Sequence, residues 1–267
     1  MNLSETLRVR MAMLSRRSVA PVSRVATTAW MRRRLGHASR RPDFTVIGIY
    51  RRENAPLVHA AIDGLSDVRL WALDQPAPEL ASVTVGSGPG DRIEHLNHLL
   101  EPRTADYLVV MDDDIRFVTG SISRLVEVAA RHRLDLCQPA QSVNGHWSHP
   151  ITVRHVLSAV RLTNFVEVGP LVVIGPRLRH EILPFPPDAG QGWGLDVRWS
   201  KLCETHRARL AVVDAVEVEH LGAVGTSYSW DAEEARLLEA LQEQGHAEVE
   251  DLVSLPKTRS WVRPWAI

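Results

Sequence analysis

Apolar residues along the chain fall into short runs of strand length separated by amphipathic stretches, the alternation expected of an α/β fold. Phe44 to Tyr50 (FTVIGIY) reads as a buried first strand and Pro56 to Gly64 as a short helix. Val68 to Leu73 reads as a second strand, ending at Asp74 before the turn at Pro76 to Pro78. The glycine-rich segment from Gly86 leads into a helix on which Ile93, Leu96, Leu99 and Leu100 recur at helical spacing, with Asp91 as its cap. Tyr107 to Met111 is an apolar strand, and Ser121 to Arg133 a helix with Ile122, Leu125, Val126 and Ala129 on one face. Leu134 to Cys137 then returns as a strand. Asn164 to Ile174 alternates before turning apolar, which predicts a strand pair bent at Gly169 and Pro170. A short helix over Arg177 to Leu183, a helix from Asp196 to His206, a strand over Leu210 to Val218 and a charged helix from Asp231 to Leu252 complete the pattern.

Composition narrows this picture. The 267 residues, 45% of them hydrophobic, suffice for one large domain with appendages. No apolar run approaches the roughly 20 residues that span a bilayer. The two cysteines, Cys137 and Cys203, make no disulfide framework and no metal-ligand spacing, so both read as core residues of a protein in a reducing compartment. The formal net charge of -1 conceals an asymmetry: residues 1 to 41 carry ten Arg against the single acid Glu5, a net +9, which leaves -10 for the remainder. A basic arm of this kind suits the surface of an anionic membrane or an acidic partner, or else is a disordered leader. These features lead to the expectation of a cytoplasmic protein, with peripheral membrane contact left open and nucleic acid not expected as a partner.

Chemistry concentrates in two places. Asp112, Asp113 and Asp114 come directly after the Tyr107 to Met111 strand. Three adjacent carboxylates repel one another, so they call for either a solvated strand end or a bound cation. On an extended chain Asp112 and Asp114 share one side, which offers two hard oxygen ligands to Mg²⁺ or Mn²⁺, with open positions for a nucleotide's phosphates. The other reading is an acidic strand-to-helix loop in which Asp114 or Thr119 serves as a cap. The second focus is DAGQGWGLDVRW, from Asp188 to Trp199. Its glycines, Gly194 among them, permit close backbone approach; Trp193 can stack on a sugar; Asp196 opens a helix, either as a plain cap or as an acid in a site. Glu167 is either a site acid or an edge-facing residue. His146, His149 and His155 fit no zinc spacing and read as polar loop residues. No Gly-Lys-Ser/Thr comes after the glycine-rich segment, so a P-loop is excluded.

A strand ending in Asp-x-Asp resembles the signature of GT-A glycosyltransferases. The second half resembles more narrowly a glycosyltransferase-like domain family abundant in plants and largely of unknown function. That likeness rests on QPA at Gln138 to Ala140, HPITVR at His149 to Arg154, NFVEV at Asn164 to Val168, GWGLD at Gly192 to Asp196, VVDA at Val212 to Ala215 and EHLG at Glu219 to Gly222. The resemblance spans Phe44 to Gly225. It implies a GT-A-like, Rossmann-related sheet, mixed and mainly parallel, flanked by helices. It further implies Asp112, Asp114 and His220 as ligands of Mn²⁺ or Mg²⁺, and Asp196 as the general base of an inverting reaction. Ile49, Tyr50, Arg51, Arg92, Asn97 and Asp113 would serve the nucleotide-sugar, and Trp193 and Gly194 the acceptor.

The expectation is therefore a basic arm (1 to 41), a GT-A-like catalytic domain (42 to 230) and a C-terminal helix with an aromatic tail (231 to 267). The implied activity is metal-dependent transfer of a sugar from a nucleoside-diphosphate sugar to a hydroxyl of a glycan, lipid-linked or small-molecule acceptor. Two alternatives stay open: a non-catalytic nucleotide- or carbohydrate-binding module, and a nucleotidyltransferase.

Overall fold

The structure, a computed structural model, describes residues 42–100, 105–155, 158–222, 229–253 and 261–262. The basic arm at 1–41 and most of the aromatic tail lie outside the described residues. The strands are β1 (Phe44–Tyr50), β2 (Val68–Ala72), β3 (Thr84–Ser87), β4 (Tyr107–Met111), β5 (Ile115–Thr119), β6 (Leu136–Gln141), β7 (Val160–Thr163), β8 (Leu171–Ile174), β9 (Leu210–His220) and β10 (Trp261–Val262). The helices are α1 (Ala55–Ile62), α2 (Arg92–His98), α3 (Ile122–His132), α4 (Arg179–Ile182), α5 (Leu195–Thr205), α6 (Trp230–Glu243) and α7 (Val249–Leu252).

The strands form one mixed, mainly parallel sheet in the order β10-β7-β9-β6-β8-β4-β1-β2-β3, with β5 paired to β9. β3, β2, β1 and β4 run parallel. Strand order reverses between β1 and β4, and Gly48 of β1 stands opposite Met111 of β4. The residues just beyond, Arg51 and Asp112, therefore emerge together at the carboxyl ends of the strands, where open α/β sheets leave a crevice.

Both faces of the sheet are covered, which explains the unbroken apolar runs. On β4, Tyr107, Val109 and Met111 pack with Val46, Leu125 and Val126 on one face, while Leu108 and Val110 pack with Ile47, Ile93 and Leu96 on the other. Ser121 caps α3, its hydroxyl accepting from the Arg124 N–H at 3.3 Å. Both cysteines are buried.

Three expectations require correction. The segment between Thr163 and Leu171 is a buried loop rather than half of a bent strand pair: Phe165, Val166 and Glu167 are all buried, but β7 has ended and β8 has not begun. The returning strand runs on to Gln141, pairing with β9 on both sides of a register shift that follows Pro139. The long C-terminal helix stops at Glu243, where Gly245 takes a φ of 75° and turns the chain before α7.

A buried ion pair ties this framework to the site. Arg161 on β7 grips Asp214 on β9 with both ends of its guanidinium, Nε to Oδ2 at 2.8 Å and Nη2 to Oδ1 at 3.1 Å. It also donates to the Ile151 and Val153 carbonyls, at 2.8 and 3.0 Å. Asp214 in turn accepts from the His155 N–H at 2.8 Å. Asp214 is wholly buried and Arg161 is 3% exposed. Removing one partner strands a charge in the core, so Asp214→Ala should lower unfolding free energy by about 3–5 kcal/mol in a urea titration. A loss under about 1 kcal/mol would show that the pair does not hold the 151–155 loop.

Candidate functional site

A cleft of about 760 Å³ opens at the carboxyl ends of β1 and β4. It gathers Ile49, Arg51, Arg92, Asp112, Asp113, Asp114, Trp193, Gly194, Asp196 and His220. Two residues expected beside them point elsewhere. The Tyr50 side chain is fully buried in the opposite core, its hydroxyl 2.9 Å from Thr84 Oγ1 and accepting from the Ala77 N–H. Asn97 pairs with the Phe185 backbone, donating to its carbonyl and accepting from its N–H, each at 2.9 Å.

The three consecutive carboxylates are separated by giving each its own partner. Asp112 Oδ1 accepts from Arg92 Nε at 2.8 Å. Asp113 accepts from the Arg51 N–H at 2.6 Å. Asp114 Oδ2 lies 3.2 Å from Nε2 of His220, which β9 delivers across from β5: Ile115 is registered against His220. Burial raises Asp112, and the Arg92 charge works against that rise. Burial lifts Asp113 to about 6 although Arg51 and Asn54 bond to it. For Asp114 the burial penalty is outweighed by the hydrogen bond and charge of His220, so its carboxyl lies below the usual range. Burial likewise opposes protonation of His220, but Asp114 and the neighbouring acids override it and raise the imidazole.

Among the described residues no group of three or more His, Cys, Asp or Glu side chains is disposed to hold a metal ion. The surroundings of Asp112 and Asp114 nevertheless have the character of a cation site. Asp114 Oδ1 is buried with no hydrogen-bond partner among the described residues. A Cβ on Gly169 would fall 2.6 Å from Asp112 Oδ2, and one on Gly222 would collide with Asp114 Oδ2. Glycine at both positions lets the backbone pass close to a carboxylate oxygen of each residue. Two carboxylates and an imidazole are the donor types that suit a hard divalent ion.

The opposite wall is built by the second glycine-rich segment. Asp196 lies in the first turn of α5, its Oδ1 accepting from the Val197 N–H at 2.9 Å, and burial pushes it up to about 6. Trp193 meets Trp230 edge to face with ring centroids 4.8 Å apart. Glu233, buried on α6 and paired with Arg236 at 2.6 Å, accepts from the Gln191 and Trp193 N–H groups at 3.2 and 3.4 Å and fixes that loop.

Glu167, for which the sequence leaves two readings open, proves to be a cleft residue. Gln141 donates to one of its oxygens; the other lies 3.3 Å from the His149 N–H and 3.2 Å from the Thr152 hydroxyl. The Glu167 N–H donates to Gln138 Oε1 at 2.6 Å. Burial, reinforced by the charge of Asp196, pushes its carboxyl up to about 8. Alternation suggests a strand here, and a strand acid is as often edge-facing as functional. Trp147, Trp230 and Leu237, which also line the cleft, carry no chemical signal in the sequence.

No family model matches the chain. No curated protein matches it either. Among solved structures, the crystal structure of GalNAc-T7 with UDP, GalNAc and Mn2+ superposes with a TM-score of 0.53 at 12% identity, covering 75% of this chain. This chain spans 49% of the length of that one. S. aureus TarS 1-349 gives a TM-score of 0.46 at 13% identity, covering 74% of this chain and 70% of its own. A197 from STIV gives 0.41 at 16%, covering 67% and 86%. The last two scores carry no weight, and the first shows the fold: the chain has a GT-A-like fold. The narrower likeness to the plant family finds no support in these comparisons. No helix among the described residues is long and apolar enough to cross a membrane.

The raised Glu167 makes stability fall with pH. A carboxyl whose folded pKa exceeds its unfolded value stabilises fully below about 4.5 and loses that contribution as pH rises through about 8. Glu167→Gln should therefore flatten the decline in unfolding midpoint between pH 5 and 8, read by thermal denaturation. An equally steep decline in the variant would place the titrating group elsewhere.

Proposed function

We propose that the chain is a metal-dependent GT-A-type glycosyltransferase that moves a sugar from a nucleoside-diphosphate sugar to an acceptor hydroxyl with inversion. The observation that carries this reading is the meeting, in one cleft at the reversal point of the sheet, of the Asp112 to Asp114 cluster with His220 on one wall and Asp196 on the other. The GalNAc-T7 structure that shares the fold holds UDP and Mn2+. A corresponding donor here would lie against Ile49 and Arg51 at the end of β1.

In this reading Asp112, Asp114 and His220 hold Mn²⁺ or Mg²⁺. The ion, when bound, supplies positive charge that stabilises the departing diphosphate. Arg92 fixes Asp112, keeping that carboxylate turned into the cleft. Asp196 accepts the proton of the acceptor hydroxyl as its oxygen attacks the anomeric carbon from the face opposite the leaving group. The hydroxyl oxygen gains the bond to carbon, the diphosphate oxygen takes the bonding pair, and the configuration inverts. A carboxyl at about 6 suits that task, being mostly ionised at neutral pH yet more basic than an ordinary aspartate. The N-terminal turn of α5 stabilises the ionised form. Trp193 and Gly194 flank Asp196 on the acceptor side.

Turnover of a nucleotide-sugar panel should be metal-dependent and lost by roughly 100- to 10,000-fold in Asp196→Asn, with donor affinity retained within a few-fold. The wild-type rate should fall below about pH 6 as Asp196 takes up its proton. Metal-dependent nucleotide binding without turnover on any donor would instead identify a binding module.

A further inference from the structure

Beyond the wall of Asp196 the cleft continues onto apolar side chains for which the transfer chemistry has no use. Trp230, whose indole meets that of Trp193, and Leu237 are seven residues apart on α6. That is two helical turns, so they share a face, and both line the cleft. Val249 of α7 lines it as well. Of the four exposed large hydrophobic side chains among the described residues, two, Leu221 and Trp230, border this one cleft. Apolar surface gathered in a concavity is the mark of a ligand site, whereas apolar residues scattered singly over a surface need no explanation.

This surface is continuous with the proposed general base. Gly194, two residues before Asp196, lies so close to α6 that a Cβ there would fall 2.9 Å from the Arg236 carbonyl oxygen and 3.0 Å from Ala240 Cβ. Val197, the residue after Asp196, is buried in a small core with Ala240, Leu241 and Val249, and Leu237 packs against that core. The charged side chains of α6 beside Trp230 and Leu237 are kept off the cleft: Glu233 and Arg236 pair with each other at 2.6 Å, and neither they nor Asp231 and Glu234 line it. A polyhydroxylated ring pressed against Leu237 and Val249 would surrender water from hydroxyls that those side chains cannot bond. A hydrocarbon or aromatic group has no such hydroxyls to desolvate and gains by leaving water.

We infer that the acceptor is an amphiphile: its reacting hydroxyl sits at Asp196, and an apolar group attached to it lies in the recess formed by Trp230, Leu237 and Val249. The inference rests on the reading of the cleft as a glycosyl-transfer site, because Asp196 is what places a hydroxyl there, and it names an acceptor class that this reading leaves open. Affinity then comes from the apolar group and orientation from the hydroxyl, so an acceptor hydroxylated on every side binds poorly.

The test is calorimetric titration of the full chain, with and without UDP and Mn²⁺, by the butyl, hexyl and octyl members of two series, 1-alkanols and alkyl β-glucosides, all below the onset of micelles. In at least one series affinity should rise by about tenfold or more from butyl to octyl, a fully buried methylene being worth up to roughly fourfold. Leu237→Ser and Trp230→Ala should each cut that rise at least threefold while UDP affinity is kept. Trp230 is half exposed, so its removal spares the core even where Leu237→Ser disturbs folding. Leu238→Ser, an exposed position one residue round the helix, should leave the rise intact. Affinity independent of chain length in both series, or a rise undiminished in both recess variants, would overturn the inference. UDP binding with no amphiphile bound overturns this inference and spares the donor site. Chain-length-dependent binding with no nucleotide bound supports the apolar recess and contradicts the transfer reading.

Discussion

Mutual repulsion among Asp112, Asp113 and Asp114 is the constraint to which the rest of the cleft responds. Three carboxylates on consecutive residues at the end of a fully buried strand cannot all ionise unless something offsets them. The fold answers with three partners from three directions: Arg92 from α2, the backbone of Arg51 beyond β1, and His220 from the far end of β9. Those partners lie 20, 62 and 106 residues away in sequence, so the cluster can form only when the sheet has closed around it. Local chemistry here specifies tertiary topology: β5 must pair antiparallel with β9 for the imidazole to reach Asp114.

The opposite wall relies on a different device. Its segments are loops and the first turns of α5 and α6, and the loops are clamped by buried charged or polar side chains: Glu233 beneath Gln191 and Trp193, Gln138 and Gln141 around Glu167, and Arg161 with Asp214 beneath 151–155. Buried polar groups are costly unless satisfied, and here their bonds hold loop backbone at a cleft that strands alone could not line. One wall therefore sits at strand ends and is set by topology. The other sits on loops and is set by side-chain networks.

This division explains what was legible in sequence. β1, β4, α3 and the acid cluster announce themselves through local patterns, so the fold class and the position of the acid cluster could be read directly. Two misplacements were avoidable. Strand alternation puts Ile49 and Arg51 on one side and Tyr50 on the other. Arg92 and Asn97 are five apart on a helix, about 140° around its axis, and cannot face the same ligand. Glu167 is a harder case, because NFVEV alternates like a strand yet forms a buried loop whose path depends on Gln138, Gln141 and Thr152. Trp230 was unreadable for a similar reason: nothing local tells a surface tryptophan at a helix start from one meeting Trp193 on the wall of the cleft.

The central claim is that the acid cluster at the end of β4 recognises a nucleoside diphosphate together with a divalent ion. Calorimetric titration of nucleoside diphosphates, with and without Mn²⁺, against the wild type and the Asp112→Ala/Asp114→Ala variant tests it most directly. The account predicts binding of one nucleotide that requires Mn²⁺ and disappears in a double variant that still folds. Absence of nucleotide binding by the folded wild type with Mn²⁺ present, or equal affinity in the double variant, would contradict it and leave the cluster an acidic turn on a shared fold.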